Sequence, residues 1–347
     1  MDKKIYLTNV YSSGIVNGGL ATQARKTFEA CRGLGLPVEI YNPWETINPQ
    51  NIGAFHIFST NYEMHSFSRT LYEKNIPQIV SSIFYTRHPA WKIAGIRAIT
   101  KFISYFDSGT KSCFDYCSEI MKNAETILPN TNDELKQIRK LFKIPDEKIT
   151  VVPNGVDKKF ANANPQLFKK KYGDSDIILS VTMLGKERKN GLNLIKALGK
   201  IDNPSYIIGS FHTESDYGKL CKVELEKYPQ VHYIGMFGHE SEMLASAYAS
   251  AKVFVLPSWL ETPGIASMEA ALAGAQIVTT PIGGTKDYFK DFGIYVNPYS
   301  IDSISTGIKT ALSRSESEQR KLKEFIYNNF LWGNVAQKYK EIYEKYL

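Results

Sequence analysis

Disulfides, membrane spans and dinucleotide fingerprints are all missing from this chain of 347 residues. Its four cysteines, Cys31, Cys113, Cys117 and Cys221, are too few and too scattered for a disulfide framework. Cys113 and Cys117 stand one helical turn apart, but no neighbouring pair completes a zinc set, so reduced, buried thiols are expected. No apolar run approaches the roughly 18 residues needed to cross a membrane as a helix. The amino terminus, Met1-Asp-Lys-Lys-Ile-Tyr-Leu-Thr, enters a strand directly and lacks a secretory apolar region, which predicts a cytoplasmic location. No Gly-x-Gly-x-x-Gly follows a strand, so a dehydrogenase reading is weak. Net charge is a mild +7, with no nucleic-acid-binding motif beside it. Apolar content of 43% and charged content of 22% are those of a globular protein. The length suggests about two domains, each able to bury its own core.

Strand and helix signals alternate from end to end, which predicts α/β architecture with parallel sheets. The first half offers strands near Ile5–Val10, Val38–Tyr41, Ala54–Ser59, Gln78–Phe84 and Thr126–Leu128, with helical patterns between. Ile149-Thr-Val-Val-Pro153-Asn-Gly155 supplies another strand and then a turn. A second series runs through Ile177–Val181, Tyr206–Ile208, Val231–Ile234, Val253–Leu256 and Gln276–Thr279. Two Rossmann-like halves are expected, 1–152 and 153–333, with a terminal helix over 334–347. That helix carries an apolar stripe of Val335, Tyr339, Ile342, Tyr343 and Tyr346 behind Trp332.

The most informative segment is Pro257-Ser-Trp-Leu-Glu261-Thr-Pro263-Gly264-Ile265-Ala266-Ser-Met-Glu269-Ala-Ala-Leu-Ala-Gly274. A short apolar strand ends at Pro257, an alanine-rich helix begins after Gly264, and Gly274 closes it. The turn exposes backbone N–H groups at the positive end of a helix dipole, which is an anion site. Glu261 and Glu269 flank it, and a carboxylate that accepts two hydrogen bonds suits a vicinal diol. Phosphate between two diols outlines a nucleotide sugar. Spacing alone decides little, since several Glu pairs eight apart arise by chance among 35 acidic residues. The strand, the turn and the helix around the pair carry the inference.

This segment closely resembles the Glu-x7-Glu signature of retaining glycosyltransferases of family 4, which have the GT-B fold. The resemblance implies two Rossmann-like domains facing across a cleft, an N-terminal acceptor side and a C-terminal nucleotide-sugar side, and the last helix packing back on the N-terminal domain. Asn17-Gly18-Gly19 precedes a helical pattern of Leu20, Ala24, Phe28 and Cys31 and resembles the family's glycine loop facing the donor. Arg188 and Lys189 follow the first strand of the second half and resemble the family's diphosphate-binding pair. The family commonly places its arginine at the strand end, near Thr182 or Met183 here, so Lys189 is the firmer assignment. Gly235 and Met236 lie where the family presents backbone to the base, and Gly283-Gly284 where backbone approaches the pocket. In this frame Lys189 and Arg188 neutralise the departing diphosphate, helped by the turn from Pro263 and Gly264 to Ile265 and Ala266. Glu261 orients the transferred sugar and Glu269 holds the ribose. No Asp-x-Asp pair has a clear structural context, and neither metal nor cofactor is expected beyond a UDP- or GDP-sugar substrate.

One departure bears on catalysis. Many relatives carry a histidine at the end of the fourth N-terminal strand, where this chain has Ile79-Val-Ser81-Ser82-Ile-Phe-Tyr85, and the nearest histidine is His88. The expected activity is hexosyl transfer, with retention, to a glycan or lipid-linked glycan in cell-surface polysaccharide or lipopolysaccharide synthesis. The rivals are an inactive nucleotide-sugar-binding subunit and an epimerase. The basic, aromatic stretch 89–106 could touch a membrane surface peripherally through Trp91, Ala98, Ile99, Phe102 and Phe106, flanked by Lys92, Arg97 and Lys101. Ile96 and Ile103 on another side favour burial of this helix instead.

Overall fold

The computed structural model describes residues 3–10, 18–106, 110–173, 175–262 and 264–347. The chain divides into two compact units, Met1–Gly155 with Trp332–Leu347, and Val156–Leu331. The first contains β1 (Lys4–Asn9), α1 (Gly19–Gly33), β2 (Val38–Ile40), β3 (Ile52–Phe58), α2 (Tyr62–Glu73), β4 (Gln78–Ser81), α3 (Ala90–Ile103), α4 (Cys113–Asn123), β5 (Thr126–Leu128) and α5 (Asn132–Phe142). The second contains α6 (Gln166–Tyr172), β6 (Ile177–Val181), α7 (Gly191–Leu198), β7 (Ser205–Ile208), α8 (Asp216–Leu225), β8 (Val231–Tyr233), α9 (Glu242–Ser250) and β9 (Ala251–Leu256). It continues through α10 (Ile265–Ala273), β10 (Gln276–Thr279), α11 (Thr285–Phe289), β11 (Ile294–Tyr295), α12 (Ile301–Ser313) and α13 (Glu316–Phe330). Helix α14 (Trp332–Tyr343) returns to the first unit.

Both sheets are parallel, ordered β2-β1-β3-β4-β5 and β11-β10-β9-β6-β7-β8. Helices cover both faces, so the strands are apolar on both sides. β1 sends Ile5 and Leu7 into one cluster and Tyr6 into the other, and β9 likewise divides Val253 and Val255 from Phe254 and Leu256. In each sheet the order reverses once, between β1 and β3 and between β6 and β9. Open α/β sheets bind ligands beyond the carboxyl ends of the strands at such a reversal. Helix α14 packs on α1 and completes the first unit's core with Trp332, Val335, Tyr339, Ile342 and Tyr343, all buried. Each contributes roughly 1.5–3 kcal/mol of apolar burial.

Four expectations are corrected. The strand expected at 149–152 reduces to one bridge, Ile149 with Ile127, because Pro153 ends the extended run before a ladder can form. β11 was not expected: two residues, Ile294 and Tyr295, carry too short a signal to read. Cys113 is exposed, although Cys31, Cys117 and Cys221 are buried and all four are free thiols. Finally, α3 is not enclosed: Ile93 is its buried residue and Ile103 lies open to solvent. Its inward side is fastened by polar bonds instead, with Arg97 donating to Asp115 Oδ1 (3.1 Å) and to Ser118 Oγ (3.0 Å).

Candidate functional site

The loop after β6 and the loop after β9 meet at the second sheet's reversal point, and their stitching can be followed bond by bond. After β6 the chain forms a single 3-10 turn, Glu187–Lys189, that ends at Asn190 in the left-handed region (φ 58°). Asparagine tolerates that conformation better than most residues. Its side chain then donates to the carbonyls of Pro257 (2.9 Å) and Pro298 (2.6 Å). The Trp259 amide donates to the Arg188 carbonyl at 2.9 Å. Lys189 Nζ thereby reaches Glu261 Oε1 at 2.5 Å, and Arg188 Nη1 lies 3.9 Å from the same oxygen. Arg188 also donates to the Leu260 carbonyl at 3.0 Å, so its head is tied to the site although the side chain is half exposed.

Glu261 is held by its own backbone as well. Its amide donates to the Ile282 carbonyl (3.1 Å) and its carbonyl accepts from the Gly284 amide (2.8 Å). Between them Gly283 adopts φ 100°, and a Cβ there would lie 2.1 Å from the Glu261 oxygen. Burial pushes the Glu261 carboxyl upward. The charges of Lys189 and Arg188 and the hydrogen bond from Lys189 together outweigh that and hold it below the ordinary glutamate range.

Helix α10 starts four residues after Glu261, capped by Gly264 (φ 74°) and closed by Gly274 (φ 113°) in a left-handed C-cap. Ile265 and Ala266 occupy its first turn, where amides lack intrahelical partners. Ser267 Oγ is buried there with no hydrogen-bond partner among the described residues. Serine gave no sequence signal at this place, since one hydroxyl in a helix is ordinary. Pro263 lies outside the described residues, as does Asn17.

Glu269 is less open than the sequence suggested. Its two oxygens accept from His239 Nε2 (2.7 Å) and Tyr248 Oη (2.8 Å), and the residue is buried. A carboxylate oxygen can accept a second hydrogen bond, so a diol there would have to share or displace these donors. Neither partner is legible from spacing: His239 lies 30 residues away in the chain and Tyr248 lies 21 away. The hydrogen bond from His239 to Glu269 raises the imidazole pKa, with burial pulling the other way. A raised histidine stabilises the fold below its unfolded value near 6.5, and that stability is lost as pH rises through the folded value. Discounted for partial exposure, the pair is worth about 1 kcal/mol. His239→Gln should therefore melt about 2–4 °C below the parent under pH 6.5 and converge with it at higher pH. Thermal melts across pH 5.5–8.5 check this, and a pH-independent difference would contradict it.

Gly235 (φ 86°) follows β8 with open space where a Cβ would stand, and Met236 beside it is exposed. Gly18 and Gly19 are in the first unit, at the N-terminus of α1, where Gly18 is extended and unencumbered. His88 is also in the first unit, in the loop before α3, exposed, with its ring 6.5 Å from that of Phe114. The structure thus brings Arg188, Lys189, Glu261, Gly264, Ile265 and Ala266 together, with Glu269 one turn further along α10. It does not bring His88 to the carboxyl end of β4. A cavity of about 430 Å³ opens there, lined by Ser59, Thr60, Tyr62, Tyr85, Cys113 and Tyr116, and His88 is not among its walls. Ser82, at the position of interest after β4, is fully buried and donates to Glu134 Oε1 (2.5 Å). Glu134 also accepts from the amides of Phe84 (2.7 Å) and Asn130 (2.9 Å). Burial pushes its pKa up to about 7 against those three bonds. The clip holds Ile83 at φ 46°, a strained conformation for a branched residue.

Residues 165–329, nearly the whole second unit, match the family described as glycosyl transferases group 1. An uncharacterized glycosyltransferase of Methanocaldococcus jannaschii is 27% identical over 224 residues, 60% of this chain and 57% of that protein. The lipopolysaccharide 1,2-N-acetylglucosaminetransferase of Salmonella typhimurium is 25% identical over 248 residues, 64% of this chain and 65% of that one. The chain thus spans less than two thirds of either relative. Among solved structures, sucrose-phosphate synthase from Thermosynechococcus elongatus superposes with a TM-score of 0.78 at 16% identity, over 99% of each chain. An Anabaena protein solved in complex with UDP and glucose gives 0.74 at 13%, covering 99% of this chain and 100% of that one. These likenesses establish the fold: two parallel-sheet α/β units of the GT-B type. Within the matched segment, Glu261 and Glu269 bracket the N-terminus of α10, and Lys189 and Arg188 reach Glu261 from the β6 loop. No described helix is long and apolar enough to cross a membrane.

Proposed function

We propose that the chain transfers a hexosyl unit from a nucleoside diphosphate sugar to a glycan or lipid-linked glycan, with retention of anomeric configuration. The observation that carries this reading is the ion pair between part-buried Lys189 and buried Glu261 at the sheet's reversal point, four residues before the first residue of α10. In this reading the matched segment binds the donor. Lys189 and Arg188 neutralise charge that builds on the leaving diphosphate, and the amides of Ile265 and Ala266 with Ser267 Oγ receive its oxygens. Being fixed cations, they supply what a divalent ion supplies elsewhere, so we read the reaction as metal-independent. Glu261, salt-bridged and hence ionised, orients the sugar hydroxyls. Glu269 takes the ribose diol by sharing lone pairs with His239 and Tyr248. The first unit takes the acceptor, and its cavity beyond β3 and β4 is the candidate pocket for it. The kinship with a lipopolysaccharide glycosyltransferase supports an acceptor in surface polysaccharide synthesis.

Thermal shift against UDP, GDP, ADP and their sugars identifies the donor. A specific ligand at about a hundred times its Kd adds roughly 2.7 kcal/mol, which is readily measured. Anomer analysis of the product by NMR then tests retention, and an inverted linkage refutes that part. Binding without turnover would favour an inactive subunit, and donor conversion without acceptor would favour an epimerase.

A further inference from the structure

Helix α3 leaves a broad aromatic face uncovered. Trp91 is 76% exposed, Ile99 61% and Phe102 66%, and the turn that follows adds Tyr105 at 79% and Phe106 at 82%. At about 100° per residue, Trp91, Ala98, Phe102, Tyr105 and Phe106 project to one side. Ile93, Ile96, Arg97 and Thr100 project to the other. That second side is the anchored one, through buried Ile93 and through Arg97 and Thr100 bonded to Asp115. Lys92 and Lys101 emerge at the two edges of the exposed face, and both are exposed. No carboxylate occurs between Arg87 and Phe106. Amides at the end of the helix continue the turn, Tyr105 to Phe102 (3.2 Å) and Phe106 to Ile103 (2.9 Å). Phe102 and Phe106 meet edge to face at 5.6 Å. The helical turn thus carries the apolar face on through Phe106.

We infer that this face lies on an anionic phospholipid bilayer. Large amphipathic rings flanked by lysines, with no acid among them, match an interface that is apolar below and negatively charged at headgroup level. Each lysine near such a surface contributes about 1 kcal/mol. A second copy of the same face would set Lys92 and Lys101 against like charges, so charge favours the bilayer over self-association. The helix would lie in the membrane plane with its Ile93–Arg97 side still seated on α4 and α5. This docking does not depend on the transfer reading, and its test uses no sugar.

Vesicles of phosphatidylglycerol mixed with phosphatidylcholine should sediment the full chain at low salt, and pure phosphatidylcholine vesicles should not. Lys92→Gln with Lys101→Gln should weaken that binding about thirtyfold. Trp91→Ser with Phe102→Ser should weaken it at least about tenfold. The four substituted side chains are exposed, so circular dichroism melts of both pairs should match the parent. A chain that stays free of anionic vesicles at low ionic strength overturns the proposal. So does vesicle binding that both pairs of substitutions leave unchanged. Sedimentation equilibrium showing a dimer that Phe102→Ser dissolves, without vesicle binding, would instead make the face an interface between copies.

Discussion

Lys189→Met is expected to lower kcat/KM for glycosyl transfer by about 10²–10³, the usual effect of removing one preorganised charge from a developing anion. The loss should fall on kcat more than on KM, because the leaving diphosphate carries more negative charge than the bound donor. The same change should lower stability at neutral pH by about 3 kcal/mol, because it leaves the Glu261 carboxylate buried without its nearest cation. In the parent, Glu261 titrates below its ordinary value, so its contribution is present above the unfolded pKa near 4.3 and is lost as pH falls through the folded value. In Lys189→Met the remaining cation, Arg188 at 3.9 Å, is half exposed, and burial then lifts the carboxyl. The defect should be largest near pH 7 and shrink toward pH 5, where the variant can bind a proton. Melts at the two pH values and single-turnover transfer measure both effects. Unaltered turnover with the full stability loss would make the pair structural and remove Lys189 from the chemistry.

Gly283→Ala should be nearly as severe for a different reason. The new Cβ would sit 2.1 Å from the Glu261 carbonyl oxygen, and φ 100° is already outside what alanine adopts. A left-handed residue costs about 1–2 kcal/mol and forced overpacking about 1–3, so roughly 3–4 kcal/mol is expected. For a unit of this size that is a fall of about 6–16 °C in Tm. Transfer should fall too, since any relief moves the backbone that sets Glu261. Gly235→Ala is the control: it shares a positive φ but meets nothing within 4 Å, and should cost only about 1 kcal/mol. Equal melting points for the two variants would show that the close approach to Glu261 is not under constraint.

Strands such as Ile177–Val181 and Gln276–Thr279 were readable to the residue, because a parallel strand covered on both faces is a short apolar block between polar turns. Helix α10 was equally plain, since Gly264 and Gly274 mark both ends. Lys189 and Glu261 were each legible as residues of loops at strand ends, but their direct ion pair across 72 residues was not. What could not be read were partners supplied by packing. Tyr248 looks like any core tyrosine until its hydroxyl meets Glu269, and Glu134 looks like an acid in a first helical turn until three donors from other segments converge on it. Helix α3 misled for a related reason. Ile96 and Ile103 suggested enclosure, whereas the covering layer on that side is built from Arg97 and Asp115 and stops at the helix edge.

The chain passes into the second unit at Gly155–Val156 and out of it at Leu331–Trp332. The two crossings run side by side: the Val156 amide donates to the Phe330 carbonyl at 2.7 Å, and Gly155 lies so close to the Trp332 indole that no side chain would fit. The second unit is therefore a guest threaded into its host, with its own ends sewn together and every strand of its sheet supplied from within. During synthesis the guest has all its parts as soon as residue 331 emerges. The host, whose residues up to Gly155 precede the guest in the chain, waits with Ile5, Leu7 and Cys31 uncovered until α14, which follows the guest, arrives to close them over.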